Sequence, residues 1–197
     1  MDVEAAGLAD YGKHGEYVSR QVKTWTRQYE ASKTGDIQAM DKVTIRDISD
    51  SHYYFQVIAW LPANIPTQKR TSVVHGDFRV DNLIYDKEDP SQVLAVLDWE
   101  LSTLGDPLAD AAYGCMAHYF DSNSAMLSGL RGLDLDSLGI PSDKAYMEEY
   151  CKNMGIPSIA DTWNFYLCFG FFRMAAILQG VYKRSLEGKQ WPTLAFL

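Results

Sequence analysis

The first regular pattern of apolar positions lies near the N-terminus, in residues 16–33. The apolar residues in this stretch are separated by four, three and four positions, and they are Val18, Val22, Trp25 and Tyr29. Such spacing puts all four side chains on one face of a helix. The pattern therefore predicts an amphipathic helix with one buried face.

The next segment, Ile37 to Leu61, mixes apolar and charged residues less regularly. We expect it to form helix with a break near Asp50 and Ser51. Pro62 and Pro66 are expected to end this helix, because proline lacks the N–H group that a helix interior uses.

The pattern changes from helical to strand-like at Ser72. Two short apolar runs follow, Leu83 to Tyr85 and Val93 to Leu97, and the polar residues 86–91 between them have the composition of a turn. Apolar runs of this length joined by such a turn predict one antiparallel β-hairpin.

Helical signals resume after the hairpin. Asp106 followed by Pro107 is typical of a helix N-cap and first turn, and predicts helix to about Phe120. Three further segments are predicted: a loop over 129–141, a helix over 142–153, and a long helix from Asp161, as its N-cap, to about Glu187. The order of elements indicates an α+β fold that is mostly helical with a central hairpin, since strands and helices do not alternate.

Composition narrows the classes of partner. The 197 residues carry a formal net charge of -8, which argues against a nucleic-acid groove or an anionic membrane surface. The most apolar run, Trp163 to Leu178, is 16 residues long and contains Arg173, so we expect a buried core helix and no membrane span. The three cysteines are widely spaced and odd in number, which fits an intracellular chain without disulfides.

The residues with chemical potential flank the hairpin. Asp77 and Asn82 have the spacing D-x-x-x-x-N, and Asp98 follows the second apolar run. Because the turn lies midway between Asn82 and Asp98, both side chains should reach the same end of the ribbon. Two oxygen ligands suffice for Mg²⁺ when nucleotide phosphates complete its coordination. Asp77 could then accept the proton of an attacking hydroxyl.

This arrangement resembles the catalytic and metal-binding loops that protein kinases share with aminoglycoside phosphotransferases and choline kinases. His75, Asp77 and Asn82 match H-x-D-x-x-x-x-N, and the D-W-E triplet that begins at Asp98 is similar to the aminoglycoside and choline kinase branch. Nearly the whole chain resembles the kinase-like domain found N-terminal to an acyl-CoA dehydrogenase domain in certain two-domain proteins. The stretches that carry this resemblance are YGKHGEYVSRQVKTWTRQYEASKT, LDWELSTLGDPLADAAY and FFRMAAILQGVYKRSLEG.

The resemblance implies that the chain uses ATP and Mg²⁺ to phosphorylate a hydroxyl, with a hydroxyacyl-CoA as the acceptor. It also implies a fused or associated acyl-CoA dehydrogenase domain in the full-length relative, and a mitochondrial or peroxisomal location. The implied site residues are Asp77 as the catalytic base, Asn82 and Asp98 as metal ligands, Arg79 as a phosphate contact, and His75, Asp106 and Asp110 as structural supports.

The resemblance further implies a protein-kinase-like C-terminal lobe over residues 1–197, without the N-terminal lobe. Its parts would be a helical lead-in over 1–71 with an insertion at 34–54, catalytic and metal loops over 72–110, and a helical subdomain over 111–197. Since the glycine-rich strand and lysine that grip ATP are not visible in the sequence, an inactive fragment or splice product with a binding or regulatory role is the alternative function. Metal-dependent hydrolysis by Asp77 and Asp98 is a weaker one, because two-metal sites need more ligands.

Two expectations concern the long last helix. We expect Arg173 to be buried and paired with Asp106 or Asp110, with a substrate contact as the alternative. An aromatic set on the same helix is expected to pack in the core, with an acyl-chain groove as the alternative. Its members are Trp163, Phe165, Tyr166, Phe169, Phe171 and Phe172.

Overall fold

A computed structural model describes residues 2–34, 52–124 and 127–188 of the chain. The helices are α1 (Tyr17–Ala31), α2 (His52–Ala63), α3 (Pro107–Cys115), α4 (Asp143–Met154) and α5 (Ala160–Leu186). The strands are β1 (Ser72–Val74), β2 (Leu83–Tyr85), β3 (Val93–Val96) and β4 (Thr103–Gly105). Short 3₁₀ turns cover Val80–Asn82, Trp99–Leu101 and Met116–Tyr119. The mixed, mostly helical architecture confirms the predicted fold class.

Helix α1 forms where the apolar periodicity predicts it. Val18, Val22 and Tyr29 are buried, and Trp25 packs against the same core from a partly exposed position. This apolar face lies on α5, so the helix contributes one wall of the main core.

Helix α5 is the central helix and packs against α1, α2, α3 and α4. Five members of its aromatic set are buried, and Phe171 is partly buried against Tyr119 and Phe120, which confirms the core prediction. A Cβ atom added at Gly170 would lie 2.8 Å from Sδ of Met116, so glycine permits the close approach of α5 to the 3₁₀ turn that follows α3. By length and apolar composition alone α5 could cross a membrane, yet just over half of its most apolar window is buried inside the fold.

The four strands form two separate antiparallel pairs. In the predicted hairpin, Leu83 pairs with Val96 and Ile84 with Ala95. The second pair joins β1 to β4, with Val73 opposite Leu104, and the sequence pattern did not predict it. Strand β4 is only three residues long, which is too short for an alternating pattern to be distinguished. Its pairing is long-range and brings the start of α3 beside the loop that follows β1.

Helix ends agree with the predicted signals in one place and differ in two. Asp106 caps α3 by accepting from the Leu108 N–H at 3.1 Å, as predicted. Ser142 caps α4, a role that the sequence patterns did not predict. The prediction that Asp161 caps α5 is wrong, because the residue at the N-cap is Ile159 and Asp161 lies in the first turn. Pro62 does not end α2 but lies in its last turn.

Some predictions lie outside the described residues. Most of the proposed insertion at 34–54 lies outside the described residues, and so does the predicted helix break near Asp50 and Ser51. The cysteines Cys115, Cys151 and Cys168 are all free thiols, in agreement with the cysteine count.

Candidate active site at the catalytic hairpin

The loop after β1 is anchored to the first turn of α3 by one carboxylate. The backbone N–H groups of His75 and Gly76 donate to the two oxygens of Asp110, at 2.5 Å and 3.0 Å. Burial raises the pKa of Asp110, while these two hydrogen bonds act in the opposite direction. The β1–β4 pair puts α3 within reach of the loop, so the anchor depends on the tertiary fold.

The ring of His75 joins two loops. Nε2 lies 2.7 Å from the carbonyl oxygen of Leu97, and Nδ1 lies 3.2 Å from the backbone nitrogen of Asp77. A carbonyl can only accept and an N–H can only donate, so Nε2 carries the hydrogen and Nδ1 accepts. Both ring nitrogens of this buried residue are thus engaged by backbone, which leaves neither free to exchange a proton with substrate.

Gly76 occupies a position that only glycine fits. Its φ is 87°, in the left-handed region, and an added Cβ would lie 2.7 Å from the carbonyl oxygen of Leu101. The backbone of the loop therefore passes directly over the 3₁₀ turn that follows Asp98.

The carboxylate of Asp77 is held from two sides. Nε of Arg79 lies 3.7 Å from Oδ1 of Asp77, and the side-chain amide of Asn82 donates to the Asp77 carbonyl at 2.8 Å and, more weakly, to Oδ2 at 3.4 Å. About a fifth of the Asp77 side chain, 22%, is exposed. An oriented carboxylate that solvent and substrate can reach is suited to accept a proton.

Asn82 and Asp98 meet at one end of the hairpin, because Leu97 N–H donates to the Asn82 carbonyl at 2.8 Å. The amide nitrogen of Asn82 is committed to Asp77, which leaves its carbonyl oxygen as a potential ligand. Asp98 is exposed, has a φ of 63°, and makes no hydrogen bond or ion pair with any described residue. A strained backbone that presents an unpaired carboxylate is typical of a functional position.

This pair fits a hard cation that is shared with phosphate oxygens. Across the described ranges there is no group of three or more His, Cys, Asp or Glu side chains that could hold a metal by itself. Asn82 and Asp98 could supply two oxygen ligands to Mg²⁺, and the phosphates of a nucleotide would supply others.

Asp106 lies apart from the loop that Asp110 holds. Besides capping α3 it accepts from the Tyr166 hydroxyl at 2.7 Å, so it fixes α3 to α5. Burial is the largest influence on Asp106 and raises its pKa, whereas the hydrogen bonds from Tyr166 and Leu108 lower it. Its support of the site is indirect, through the position of the helix that carries Asp110.

The expected ion pair of Arg173 with Asp106 or Asp110 is not formed, although the positive charge of Arg173 acts to lower the pKa of Asp110. Arg173 is buried, but it forms no ion pair or hydrogen bond with any described residue. Its guanidinium stacks instead on aromatic rings, with Cζ 4.7 Å from the centroid of Tyr113 and 5.5 Å from that of Trp25.

Sequence reasoning missed Tyr113 as a neighbour of the site. This residue is buried, and the charges of Arg173, Asp77 and Arg79 all act on the pKa of its hydroxyl. Burial raises the pKa of Tyr113 to about 12, so the hydroxyl stays protonated at neutral pH. Its position one turn after Asp110 on α3 is the signal that could have found it.

A cleft of about 290 Å³ opens beside the anchored loop, between β1, α3 and α4. Its lining includes His75, Phe78, Trp99, Asp110 and Tyr150. The ring of Trp99 lies 4.8 Å from that of His75, so the D-W-E triplet contributes an aromatic wall next to the loop.

Comparisons with known proteins agree with this geometry. Residues 1–145 match the family described as "Phosphotransferase enzyme family". The chain is 53% identical over 189 residues to acyl-CoA dehydrogenase family member 10 of Mus musculus. This match covers 96% of the chain and 16% of that protein. It is 37% identical over 198 residues to acyl-CoA dehydrogenase family member 11 of Homo sapiens. This match covers 100% of the chain and 23% of that protein.

A solved structure from Ralstonia eutropha, assigned to the aminoglycoside phosphotransferases, superposes with a TM-score of 0.81 and 44% identity. The match covers 96% of this chain and 53% of the other. The chain thus spans about a fifth of the length of the acyl-CoA dehydrogenase family relatives and about half of the solved structure. The resemblance found in the sequence is confirmed, and the chain belongs to the phosphotransferase enzyme family.

Proposed function

We propose that this chain carries the catalytic and metal-binding loops of a phosphotransferase that uses ATP and Mg²⁺ and phosphorylates the hydroxyl of a hydroxyacyl-CoA. The observation that carries the proposal is the arrangement at one end of the hairpin, where the Asp77 carboxylate is oriented by Arg79 and Asn82 beside the unpaired carboxylate of Asp98. The relatives are named as acyl-CoA dehydrogenase family members, and this supports an acyl-CoA as the acceptor.

In the proposed reaction Asp77 accepts the proton of the acceptor hydroxyl as its oxygen forms a bond to the γ-phosphorus of ATP. The bond from that phosphorus to the bridging oxygen breaks, and its electron pair leaves with ADP. Asn82 and Asp98 would hold Mg²⁺, which neutralises phosphate charge when bound. Arg79 orients Asp77 at 3.7 Å and adds positive charge near the transferred group.

The test is ADP release by the purified chain with Mg·ATP and a panel of hydroxyacyl-CoA thioesters. Asp77→Asn should abolish release, and Asp98→Ala should weaken binding of Mg·ATP. Glu100→Gln is the matched control for Asp98, because Glu100 is also an exposed acid on the adjoining 3₁₀ turn.

Three results would contradict the proposal. Release that persists in Asp77→Asn would exclude this residue as the base. Equal binding of Mg·ATP by the wild-type chain and Asp98→Ala would exclude the metal site. Release of phosphate without an acceptor would instead favour hydrolysis.

A further inference from the structure

Two buried side-chain atoms lack a hydrogen-bond partner in the described part of the chain, and they are Nε of Arg79 and Nε of Arg173. Arg173 is 7% exposed, although a guanidinium carries five N–H donors. Buried donors are normally paired. An exception at two arginines therefore calls for an explanation.

Arg173 is linked to the proposed base through one residue. Its guanidinium lies over the ring of Tyr113, with Cζ 4.7 Å from the centroid, and the charges of Arg173 and Asp77 both act on the pKa of the Tyr113 hydroxyl. Arg79 has the Asp77 carboxylate 3.7 Å from its Nε as a charged partner. Arg173 has no carboxylate at ion-pair distance among the described residues, so its Nε is the donor that remains to be explained.

Aromatic contact alone does not account for Arg173. Its Cζ lies 5.5 Å from the centroid of Trp25 and 4.7 Å from that of Tyr113. Such contacts attract the charge of the guanidinium and supply no acceptor oxygen. The N–H edge that carries Nε is therefore left for an oxygen that the described residues do not supply.

We propose that the N–H edge of Arg173 binds a carbonyl-type oxygen of the acceptor substrate, either a carboxylate or a thioester oxygen a few bonds from the hydroxyl that reacts. The inference rests on the proposed function and assigns its specificity to a residue of α5. Arg79, whose side chain is 23% exposed and which contacts Asp77 directly, remains the candidate for the transferred phosphate. The aromatic surroundings of Arg173 suit a carbonyl oxygen better than a strongly hydrated phosphate.

The test is equilibrium binding of three ligands to the 197-residue chain, a 4-hydroxy acid, its CoA thioester and the corresponding diol, without nucleotide. The wild-type chain should bind the acid or the thioester roughly tenfold to a hundredfold more tightly than the diol, as expected for a charge-assisted hydrogen bond. Arg173→Gln should remove this preference and leave diol binding unchanged. Arg173→Lys should retain part of it, and Arg131→Gln, at an exposed arginine, should retain all of it.

Comparison of the acid with the thioester identifies the source of the oxygen. An equal preference in the wild-type chain and in Arg173→Gln overturns the inference, as does a wild-type chain without preference.

If the Arg173→Gln chain does not fold, a second measurement on the wild-type chain tests the inference. The Nε–H resonance of Arg173, assigned by its loss in Arg173→Lys, should shift when the acid or thioester is added and not when the diol is added. The absence of a selective shift overturns the inference. Because none of these readouts uses ATP, a chain that shows the preference but never releases ADP contradicts the proposed function and leaves this inference standing.

Discussion

His75 donates a hydrogen bond from Nε2 to the carbonyl oxygen of Leu97 at 2.7 Å. This contact joins the loop that carries Asp77 to the strand end that precedes Asp98. The proposed base and the proposed metal ligand are therefore held at a fixed separation by a residue that takes no part in proton transfer. The loop is held a second time by Asp110, so its position depends on two independent anchors.

Removal of the Asp110 anchor should destabilise the fold. Asp110→Ala leaves the N–H groups of His75 and Gly76 without an acceptor, and we expect the free energy of unfolding to fall by about 2–4 kcal/mol. Urea denaturation measures this change. Asp136→Ala, at an exposed acid, should change the free energy of unfolding by less than about 0.5 kcal/mol. A similar small change in Asp110→Ala would show that the loop does not need the anchor.

Gly76→Ala tests the close approach of the loop to Leu101. The substitution combines a φ of 87° with a Cβ contact of 2.7 Å to a backbone oxygen. We expect a loss of more than about 3 kcal/mol, since strain and overlap add. Gly139→Ala is the matched control, because Gly139 has a φ of 67° but open space around the added Cβ. It should lose only about 1–2 kcal/mol, and equal losses would contradict the close approach.

The buried carboxyl of Asp106 should make stability depend on pH. Burial raises the pKa of Asp106 above its ordinary value of 3.8, so the folded state holds the proton more tightly. The contribution of this proton to the free energy of unfolding is complete below the unfolded-state pKa. It is lost as pH rises through the folded-state pKa. Asp106→Asn should therefore gain stability relative to the wild type between about pH 4 and pH 7.

Urea denaturation across this pH range provides the measurement for Asp106→Asn. Asp89→Asn is an informative control, because hydrogen bonds from Ser91 and Gln92 lower the pKa of Asp89. The wild type should then gain stability relative to Asp89→Asn as pH rises, in the opposite direction to Asp106. The same sign for both variants would contradict the assignment of burial as the cause.

The contact between Tyr166 and Asp106 should contribute to the attachment of α3 to α5. Tyr166→Phe removes the hydroxyl that donates at 2.7 Å, and we expect a loss of about 1–3 kcal/mol because a buried carboxylate loses a donor. Thermal denaturation at neutral pH measures it. The control is Tyr146→Phe, since the Tyr146 hydroxyl has no hydrogen bond to a described residue. If both substitutions cost the same, the hydrogen bond is not the source of the stabilisation.

Arg79 should matter for turnover more than for folding. Arg79→Gln removes the charge 3.7 Å from Asp77, and we expect kcat to fall roughly tenfold to a hundredfold with a small change in stability. ADP release with the best acceptor is the measurement. Arg131→Gln breaks an ion pair of similar length, 3.8 Å, whose partners are both more than half exposed, and it should leave kcat unchanged. An equal fall of kcat in Arg79→Gln and Arg131→Gln would show that the position of Arg79 beside Asp77 is not the cause.

The elements that sequence patterns predicted are those with local causes. The periodicity from Val18 to Tyr29 predicted α1, the turn composition between the two apolar runs predicted the hairpin, and Asp106 with Pro107 predicted the start of α3. Each signal lies within a few residues of the structure that it specifies. The prediction for Asp161 failed because another residue of the same turn region begins the helix.

The sequence by itself determined the chemical groups of the candidate site and their order. Asp77, Asn82 and Asp98 are brought together by a hairpin whose turn is encoded locally, so their spacing was enough to predict a common end of the ribbon.

Only the tertiary structure decided how these groups are held. The pairing of β1 with β4 brings Asp110 to the catalytic loop. The packing of α5 on α3 brings Arg173 to Tyr113 and leaves its Nε without an acceptor among the residues that the structure describes. These contacts join residues that are far apart in the chain. Their partners are selected by packing and by the cost of unpaired buried groups, which no local pattern records.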